Sequence, residues 1–549
     1  MKNIKLITAC LTIFISIQIQ AQVDLPTEQV EVIKNFEATL EETEKVPIDP
    51  ELPPLDTSTQ LQQYQIPQTH QLEVDYPAPK IRPLAMRPDA LPNIYDAYLK
   101  IGAGLPTSFL GEGYYGKFVD GKYDVGLNLK YHLGNFTGDD IENQKFRNVN
   151  VGANGTYYLD QGFAVAGKVD YSSDKFHYYG YNFDDSGLTG IDENDVQQYF
   201  NTIDIGANIF NGVENVGDIN YSAGFDFYNL QDKFASKETG MNLYIDATKW
   251  IGGTHSFDFN IAADFTTYKD TVKQKLNNYY LQPAFTYHGD IFNAKIGMNL
   301  VANNDEFQFF PDIEAIVNVT GSELAIFAGA KGDLQKNTYR SLTDYNPFVS
   351  YRSPTLSLKN TKYFEYYGGI KGNIKIIEYQ AKVGFRTVDS LALFQVDDMP
   401  PDPLQRTFKP VYDNGNILSI GGSLKANITK TIELIGTANY NIYDMDTEIK
   451  AWHLPALEIN SALIVKLLED KLRVKTQVFV ENGVPYKLAD GTSDNLNSLF
   501  DLSLGAEYLF TENIGAFFDV NNLLDNKRQR WRYYPTYGLN VMLGLTARF

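Results

Sequence analysis

Lys527-Arg528-Gln529-Arg530-Trp531-Arg532-Tyr533-Tyr534 combines the residue types best suited to recognition chemistry in this chain. Guanidinium groups grip phosphates through paired hydrogen bonds, and Arg528, Arg530 and Arg532 recur at every second position beside Trp531, Tyr533 and Tyr534. The simpler reading is an interfacial aromatic belt with snorkelling arginines. The alternative is surface recognition of lipopolysaccharide phosphates. A second stretch, Asp184-Asp185 through Asp192-Glu193-Asn194-Asp195, offers oxygens to a calcium ion. It lacks the spacing and the glycine of a cation loop, and reads as a solvated acidic loop. Its neighbour, Phe176-His177-Tyr178-Tyr179-Gly180-Tyr181, is aromatic enough to stack on a sugar or to pack on a partner. The six histidines are scattered without metal-ligand spacing. No Gly-x-Ser-x-Gly, phosphate loop or convergent Ser/His/acid set appears, so no enzyme activity and no cofactor or metal is expected.

The elements that must carry these residues are strands. From Tyr537 to Phe549 every second residue is apolar: Tyr537, Leu539, Val541, Leu543, Leu545, Ala547 and Phe549. A period of two places this set on one face of a strand. A chain that ends such a strand on an aromatic ring suits a barrel whose outer face meets lipid. The ending Gly-Leu-Thr-Ala-Arg-Phe is similar to the C-terminal signal read by barrel-assembly machinery, with Phe549 as its key residue. Thirty-seven tyrosines, 34 phenylalanines and 42 glycines suit strands and girdles. A net charge of -21 argues against a nucleic-acid partner.

Residues 1–21 read as a signal peptide: Lys2 and Lys5, an apolar run from Leu6 to Ile19, and cleavage after Ala21. Cys10 would then be removed, leaving the mature protein without a thiol. Residues 22–93 are acidic and Pro-rich, which disfavours a long helix or a central strand; a periplasmic or lumenal extended segment is expected. Residues 94–549 read as the barrel. Tyr123, Val125, Leu127, Leu129, Tyr131 and Leu133 alternate with Asp124, Gly126, Asn128, Lys130 and His132, and comparable alternation runs through 257–265 and 500–510. Polar positions that carry charge imply a wet interior. Short connections near 119–122, 159–162, 212–216, 251–254, 288–290, 319–322, 374–376, 428–430, 469–471 and 511–513 alternate with longer ones, including 174–195, 336–360, 391–413 and 525–536. Short turns on the periplasmic side and long loops outside are the pattern of an outer-membrane β-barrel, here an all-β antiparallel barrel of about 22 strands. Pro283 and Pro311 fall mid-strand, where bulges are expected.

Thr27-Glu28-Gln29-Val30-Glu31-Val32-Ile33-Lys34 loosely resembles the segment that opens TonB-dependent receptors, with Val30 and Val32 as possible TonB contacts by strand addition. Val520-Asn521-Asn522-Leu523-Leu524-Asp525 and Tyr533-Tyr534-Pro535-Thr536-Tyr537-Gly538 are similar to that family's closing hairpin. Gln335-Lys336-Asn337-Thr338-Tyr339-Arg340-Ser341-Leu342 with Asn346-Pro347-Phe348 resembles a group of Bacteroidota barrels that are receptor-like but lack the plug domain. Residues 22–93 are too few for such a plug. A lumen of 22 strands must still be filled, by the Pro-rich segment, by inward-folded loops or by a partner; the segment is the expectation. The resemblance implies transport or uptake across the outer membrane. The alternative is a structural or interaction subunit of an envelope complex. Expected partners are outer-membrane lipid and lipopolysaccharide, barrel-assembly machinery, and TonB or other envelope proteins.

Overall fold

The computed structural model describes residues 95–138, 141–183, 188–212, 217–303, 306–352 and 355–549. The expected signal peptide, the Pro-rich segment 22–93 and, within it, Val30 and Val32 lie outside the described residues.

Twenty-two strands form one antiparallel sheet closed on itself. They begin with Ala97–Leu105 (β1), Ser108–Val119 (β2), Tyr123–Asn135 (β3), Lys145–Tyr158 (β4), Phe163–His177 (β5), Gln197–Asn211 (β6) and Ile219–Asp232 (β7). Next come Lys237–Ile251 (β8), His255–Lys269 (β9), Lys273–His288 (β10), Phe292–Asn303 (β11), Glu306–Thr320 (β12), Leu324–Asn337 (β13) and Lys359–Ile374 (β14). The last are Ile377–Val396 (β15), Phe408–Thr429 (β16), Ile432–Met445 (β17), Leu457–Leu467 (β18), Leu472–Asn482 (β19), Leu499–Leu509 (β20), Ile514–Asn521 (β21) and Asn540–Arg548 (β22). β1 pairs with both β2 and β22, Gly102 opposite Gly544 on the latter side, which removes the sheet's edges. Ala97 and Phe549 exchange both backbone hydrogen bonds, at 3.0 and 2.9 Å, and so lock the seam at its end.

The short and long connections segregate to opposite ends, as the sequence implies. Four short links, at 106–107, 233–236, 270–272 and between Asn303 and Glu306, sit at the long-loop end. β15 and β16 run for 20 and 22 residues, so the loop expected over 391–413 narrows to 397–407. Apolar side chains alternate outward, as with Leu127 and Leu129 in β3 or Leu543 and Leu545 in β22, which are half or more exposed. The other face holds the polar side chains that line the bore. Glu365 is buried there against Lys382 (2.7 Å) and Arg386 (3.4 Å), and Lys130 meets Glu112 at 3.3 Å.

Tyr537 departs from the expected lipid-facing row. β22 starts only at Asn540, and the Tyr537 ring stacks inside, 4.4 Å from Phe136. The chain is held out of the ladder by side chains of the preceding turn. Asn522 Nδ2 donates to Tyr537 O (2.9 Å), and Asp525 Oδ1 accepts from Leu539 N (2.8 Å).

Neither proline produces the expected bulge. At Pro283 the β10–β11 ladder skips from Leu281–Leu300 to Ala284–Gly297 without a change of register. At Pro311 the consequence is larger. Asn318 N–H donates to Ile291 O on the β11 side at 2.7 Å. N–H directions alternate along a strand, and the β11–β12 register is unbroken, so the nitrogen of Pro311 faces β13. The β12–β13 ladder ends one residue earlier, at Asp312–Lys331. The carbonyl of Gly332, which Pro311 cannot serve, accepts from Asn299 Nδ2 instead, at 3.3 Å. Above this point Glu306–Phe310 pair only with β11, and 332–337 pair only with β14. Bulges occur elsewhere, at Asn318/Thr320, Val388/Leu391 and Asn427/Thr429.

Candidate functional site

Separated from β12, the upper end of β13 leads into the loop 338–358, which begins with a helix, Tyr339–Tyr345. Thr338 caps that helix reciprocally: Ser341 N donates to Thr338 Oγ1 (3.1 Å) and Thr338 N to Ser341 Oγ (2.8 Å). Its first amides point at Glu238 on β8, which accepts from Tyr339 N (2.6 Å) and Arg340 N (3.0 Å) and from Tyr228 OH (2.8 Å). A carboxylate at a helix N-terminus satisfies amides that have no partner within the helix. Tyr339 OH donates to Asp232 (2.9 Å), and Arg340 grips Asp204 of β6 with two nitrogens, at 2.6 and 3.2 Å. A loop that leaves the wall between β13 and β14 is thus tied to β6, β7 and β8.

Other loops converge on the same place. Phe348 stacks on Tyr534 of the final loop at 3.5 Å, and Tyr179 of the β5–β6 loop meets Tyr534 edge-on at 5.1 Å. Tyr179 OH donates to Pro535 O (2.9 Å), and Tyr534 OH to Arg406 O (2.7 Å). Trp531 lies about 5.5 Å from the rings of Tyr345, Phe394, Phe408 and His453. Gln405 Nε2 reaches Asp195 O at 3.4 Å. The β5–β6 and β15–β16 loops stand ten strands apart in a ring of 22, so they can meet only over the bore. Inward-folded loops therefore cap one end of the barrel, and the cap has a buried aromatic core of its own.

His453 in that core is held neutral. Burial pushes its imidazole down to about 4, and Arg532 and Arg530 nearby act in the same direction. Nδ1 lies 2.7 Å from Phe394 O; a carbonyl can only accept, so Nδ1 carries the proton.

Beneath the cap lies a cavity of about 760 Å³. Phe136, Phe146, Phe348 and Tyr537 give it an aromatic surface, and Asp174, Asp344, Asp501 and Asp519 give it carboxylates. Asp519 is paired with Lys100 (3.3 Å). Burial, with Asp174 and Asp204 nearby, raises the carboxyl of Asp344 above its ordinary value. With Lys175 also in its lining, the chamber is aromatic and mixed in charge.

The basic stretch divides in this setting. Trp531 and Tyr534 are buried in the cap core. Arg530 pairs with Glu481, and Arg532 donates to Lys487 O (3.2 Å) while lying over the Tyr486 ring. Arg528 is exposed and Tyr533 half-buried. Tyr178, Tyr179 and Tyr181 pack on neighbouring loops of the same chain. In the acidic loop, Glu193 meets Lys145 (2.8 Å), His177 (3.2 Å) and Lys175 (3.4 Å). The Lys145 hydrogen bond, aided by His177 and Lys175, draws its carboxyl down to about 2. Asp192 accepts from Asn194 N (2.8 Å). Among the described residues no cluster of potential metal ligands is present. Sequence reasoning missed Glu238 and Asp232, which sit at strand ends without a motif. The stretch 335–348, singled out only as a resemblance, proves to be the strap of the cap.

Phe549 is exposed at the opposite end. Deleting it removes both hydrogen bonds to Ala97. The level of folded, heat-modifiable barrel should fall several-fold while export across the inner membrane is unchanged; pulse-labelling with fractionation measures both.

No known family profile and no curated protein matches the chain. Solved structures do. The siderophore receptor PiuA from Acinetobacter baumannii aligns with TM-score 0.62 at 10% identity, over 83% of this chain and 82% of that one. The ferric-catecholate import receptor Fiu from E. coli aligns with TM-score 0.62 at 11% identity, over 83% and 82%. The ferripyoverdine receptor of the outer membrane of Pseudomonas aeruginosa gives 0.58 at 13% identity, over 83% and 72%. At such identities the likeness is one of architecture: this chain has the barrel fold of outer-membrane siderophore receptors.

Proposed function

We propose that the protein is an outer-membrane barrel of the TonB-dependent-receptor type, taking part in uptake across the outer membrane with a mouth gated by its own loops. The observation that carries this reading is the cap: loops from opposite walls meet over the bore and enclose a chamber that opens on a polar lumen. The fold shared with siderophore receptors supports it. On this reading the cap faces the outside and the short turns the periplasm. Barrel-assembly machinery inserts the chain, the exposed Arg528 faces lipopolysaccharide phosphates at the rim, and Val30 and Val32 in the segment 22–93 offer a strand to TonB.

In planar bilayers the purified full-length protein should conduct little at rest, and excision of 339–356 should produce stepwise conductance. A closed deletion variant, or a wild type that stands open, would defeat gating by the loops. In the first case the occluder is the segment 22–93 or another loop; in the second a partner must close the pore in the cell, and a non-transporting role in an envelope complex becomes the better account.

A further inference from the structure

The ends of β8, β9 and β10 nearest the cap carry two different faces. Inward, they hold the loop 338–358. Glu238 accepts from the first amides of its helix, and Tyr268 OH donates to Tyr351 O. Gln274 Nε2 donates to Leu356 O (2.9 Å), while its Oε1 accepts from Leu358 N (3.0 Å). Side chains alternate along a strand, so the neighbours Lys237, Thr239, Thr267, Lys269, Lys273 and Lys275 point outward. All four lysines are exposed. Lys237 stands directly opposite Lys269, and Lys269 opposite Lys273. One level down, Thr267 lies between Thr239 and Lys275.

Like charges directly opposite one another on a sheet repel, and Lys269 is flanked on both sides. Lysines of the bore answer this by pairing, as Lys336 does with Asp264 (2.6 Å) and Lys295 with Asp312. Among the described residues none of the four outward lysines makes an ion pair. The carboxylate in the turn between β9 and β10, Asp270, accepts from Val272 N (2.7 Å). One such group leaves most of the positive charge uncompensated. Thr239 Oγ1 accepts from Asn229 Nδ2 (2.9 Å), which leaves its O–H free to donate.

Below the lysines the same outer face is apolar, with Met241 and Ile245 of β8, Phe257 and Ile261 of β9 and Tyr279 of β10 exposed. A tilted strand crosses the hydrocarbon in about 9–11 residues. Counted along β9 from Phe257, that span ends between Phe265 and Thr267, so Lys269 lies just beyond it. On the membrane placement proposed above, on which this inference rests, the lysines stand at the headgroups of the outer leaflet. Neighbouring strands are about 4.8 Å apart, so the row Lys237, Lys269 and Lys273 spans about 10 Å, within reach of a single headgroup. A lone interfacial lysine snorkels into water and needs no partner. Lysines that face one another over an apolar wall fit an amphiphile with an anionic head, because phosphate oxygens accept from several ammonium groups at once. The loop contacts on the inner face fix these strand ends before any lipid arrives, which lowers the cost of ordering the site.

We propose that the outer wall of β8–β10 binds a phosphorylated lipid of the outer leaflet. Its phosphates lie on Lys237, Lys269, Lys273 and Lys275, and its acyl chains lie on the apolar face below. The site is distinct from Arg528, which stands beside β22 on the far side of the ring.

The test uses the purified full-length protein in neutral detergent, with bisphosphorylated lipid A as the probe and native mass spectrometry to count bound lipid. Wild type should hold lipid A at least tenfold more tightly than the same lipid stripped of its phosphates. Inorganic phosphate at equal concentration should not displace it. Lys237→Gln, Lys269→Gln, Lys273→Gln and Lys275→Gln combined should weaken binding at least tenfold with heat modifiability unchanged. The four corresponding Lys→Arg substitutions should preserve binding. Equal binding by the two variants, or equal binding of the two lipids, would overturn the site. Displacement by inorganic phosphate would overturn the lipid as its occupant. Thr189→Cys, exposed in the β5–β6 loop, should be labelled on intact cells by a membrane-impermeant maleimide. Labelling only after lysis would refute the membrane placement and the lipid site with it, whereas labelled cells with failed binding would refute the site alone.

Discussion

Replacing Glu238 by alanine should release the strap that covers the bore. The substitution strands three donors, Tyr339 N, Arg340 N and Tyr228 OH, inside a buried site. Unsatisfied buried groups cost about 1–3 kcal/mol each. A net loss of about 3 kcal/mol would raise the population of the open cap roughly a hundredfold. Protease cleavage within 338–358, or hydrogen exchange at the helix amides, reads that population directly. Glu238→Gln keeps an acceptor and should fall between wild type and alanine. Unchanged cleavage in the alanine variant would mean that the Arg340–Asp204 pair and the aromatic core suffice. Acid should act in the same direction through His453. With a value near 4 in the closed cap and an ordinary one near 6.5 when released, the ring takes up a proton only on opening between those values. Cap stability is therefore whole above about 6.5 and declines as pH falls toward 4.

Gly544→Val should prevent closure of the barrel. Gly544 faces Gly102 across the β1–β22 seam, and a Cβ there would lie 2.1 Å from Ile101 O and 2.4 Å from the Phe517 ring. A backbone oxygen cannot rotate away as a side-chain terminus can. The Phe517 ring already rests against both glycines, with Lys100 Nζ 3.9 Å above it. The expected result is at least a tenfold loss of heat-modifiable protein, with accumulation of unfolded chain on the assembly route. Thr546→Val, which swaps a hydroxyl for a methyl two residues away, should cost far less. Normal heat modifiability of Gly544→Val would show that β1 and β22 can separate locally without loss of the ring.

Strand count and turn placement were legible in the sequence because a strand with one wet and one greasy face writes its period into every second residue. β3, β20 and most of β22 follow that rule residue by residue. Tyr537 did not, because the side chains of Asn522 and Asp525 take the backbone groups of the segment from which it projects, and nothing in an alternating run reveals that competition. Pro311 was visible as an anomaly, yet a missing N–H can be absorbed by a bulge or by parting the strands. Only the partner's carbonyl, served by Asn299 twelve residues away, decides between them. The cap was the least legible part. Trp531, Tyr534, Tyr179 and Phe348 are the residue types of an interfacial girdle, and their convergence depends on which loops bend inward, a property of the whole ring. Glu238 and Asp232 carry no local signature because their partners lie about a hundred residues away in the chain.

That distance has a consequence for biogenesis. The central rings of the cap, Trp531 and Tyr534, come from the connection between the two last strands, while Gln144 and Tyr179, which both donate to Pro535 O, come from the first third of the chain; Tyr179 and Pro535 are 356 residues apart. Contacts of such long range form only after the intervening chain is in place. The lid thus cannot seal before the loop ahead of the last strand is in place. A half-built barrel is an unsealed one, and sealing reports that nearly the whole chain has been made and inserted. A chain truncated anywhere before residue 531 would lack the keystone of its own lid, which gives quality control an open pore to detect.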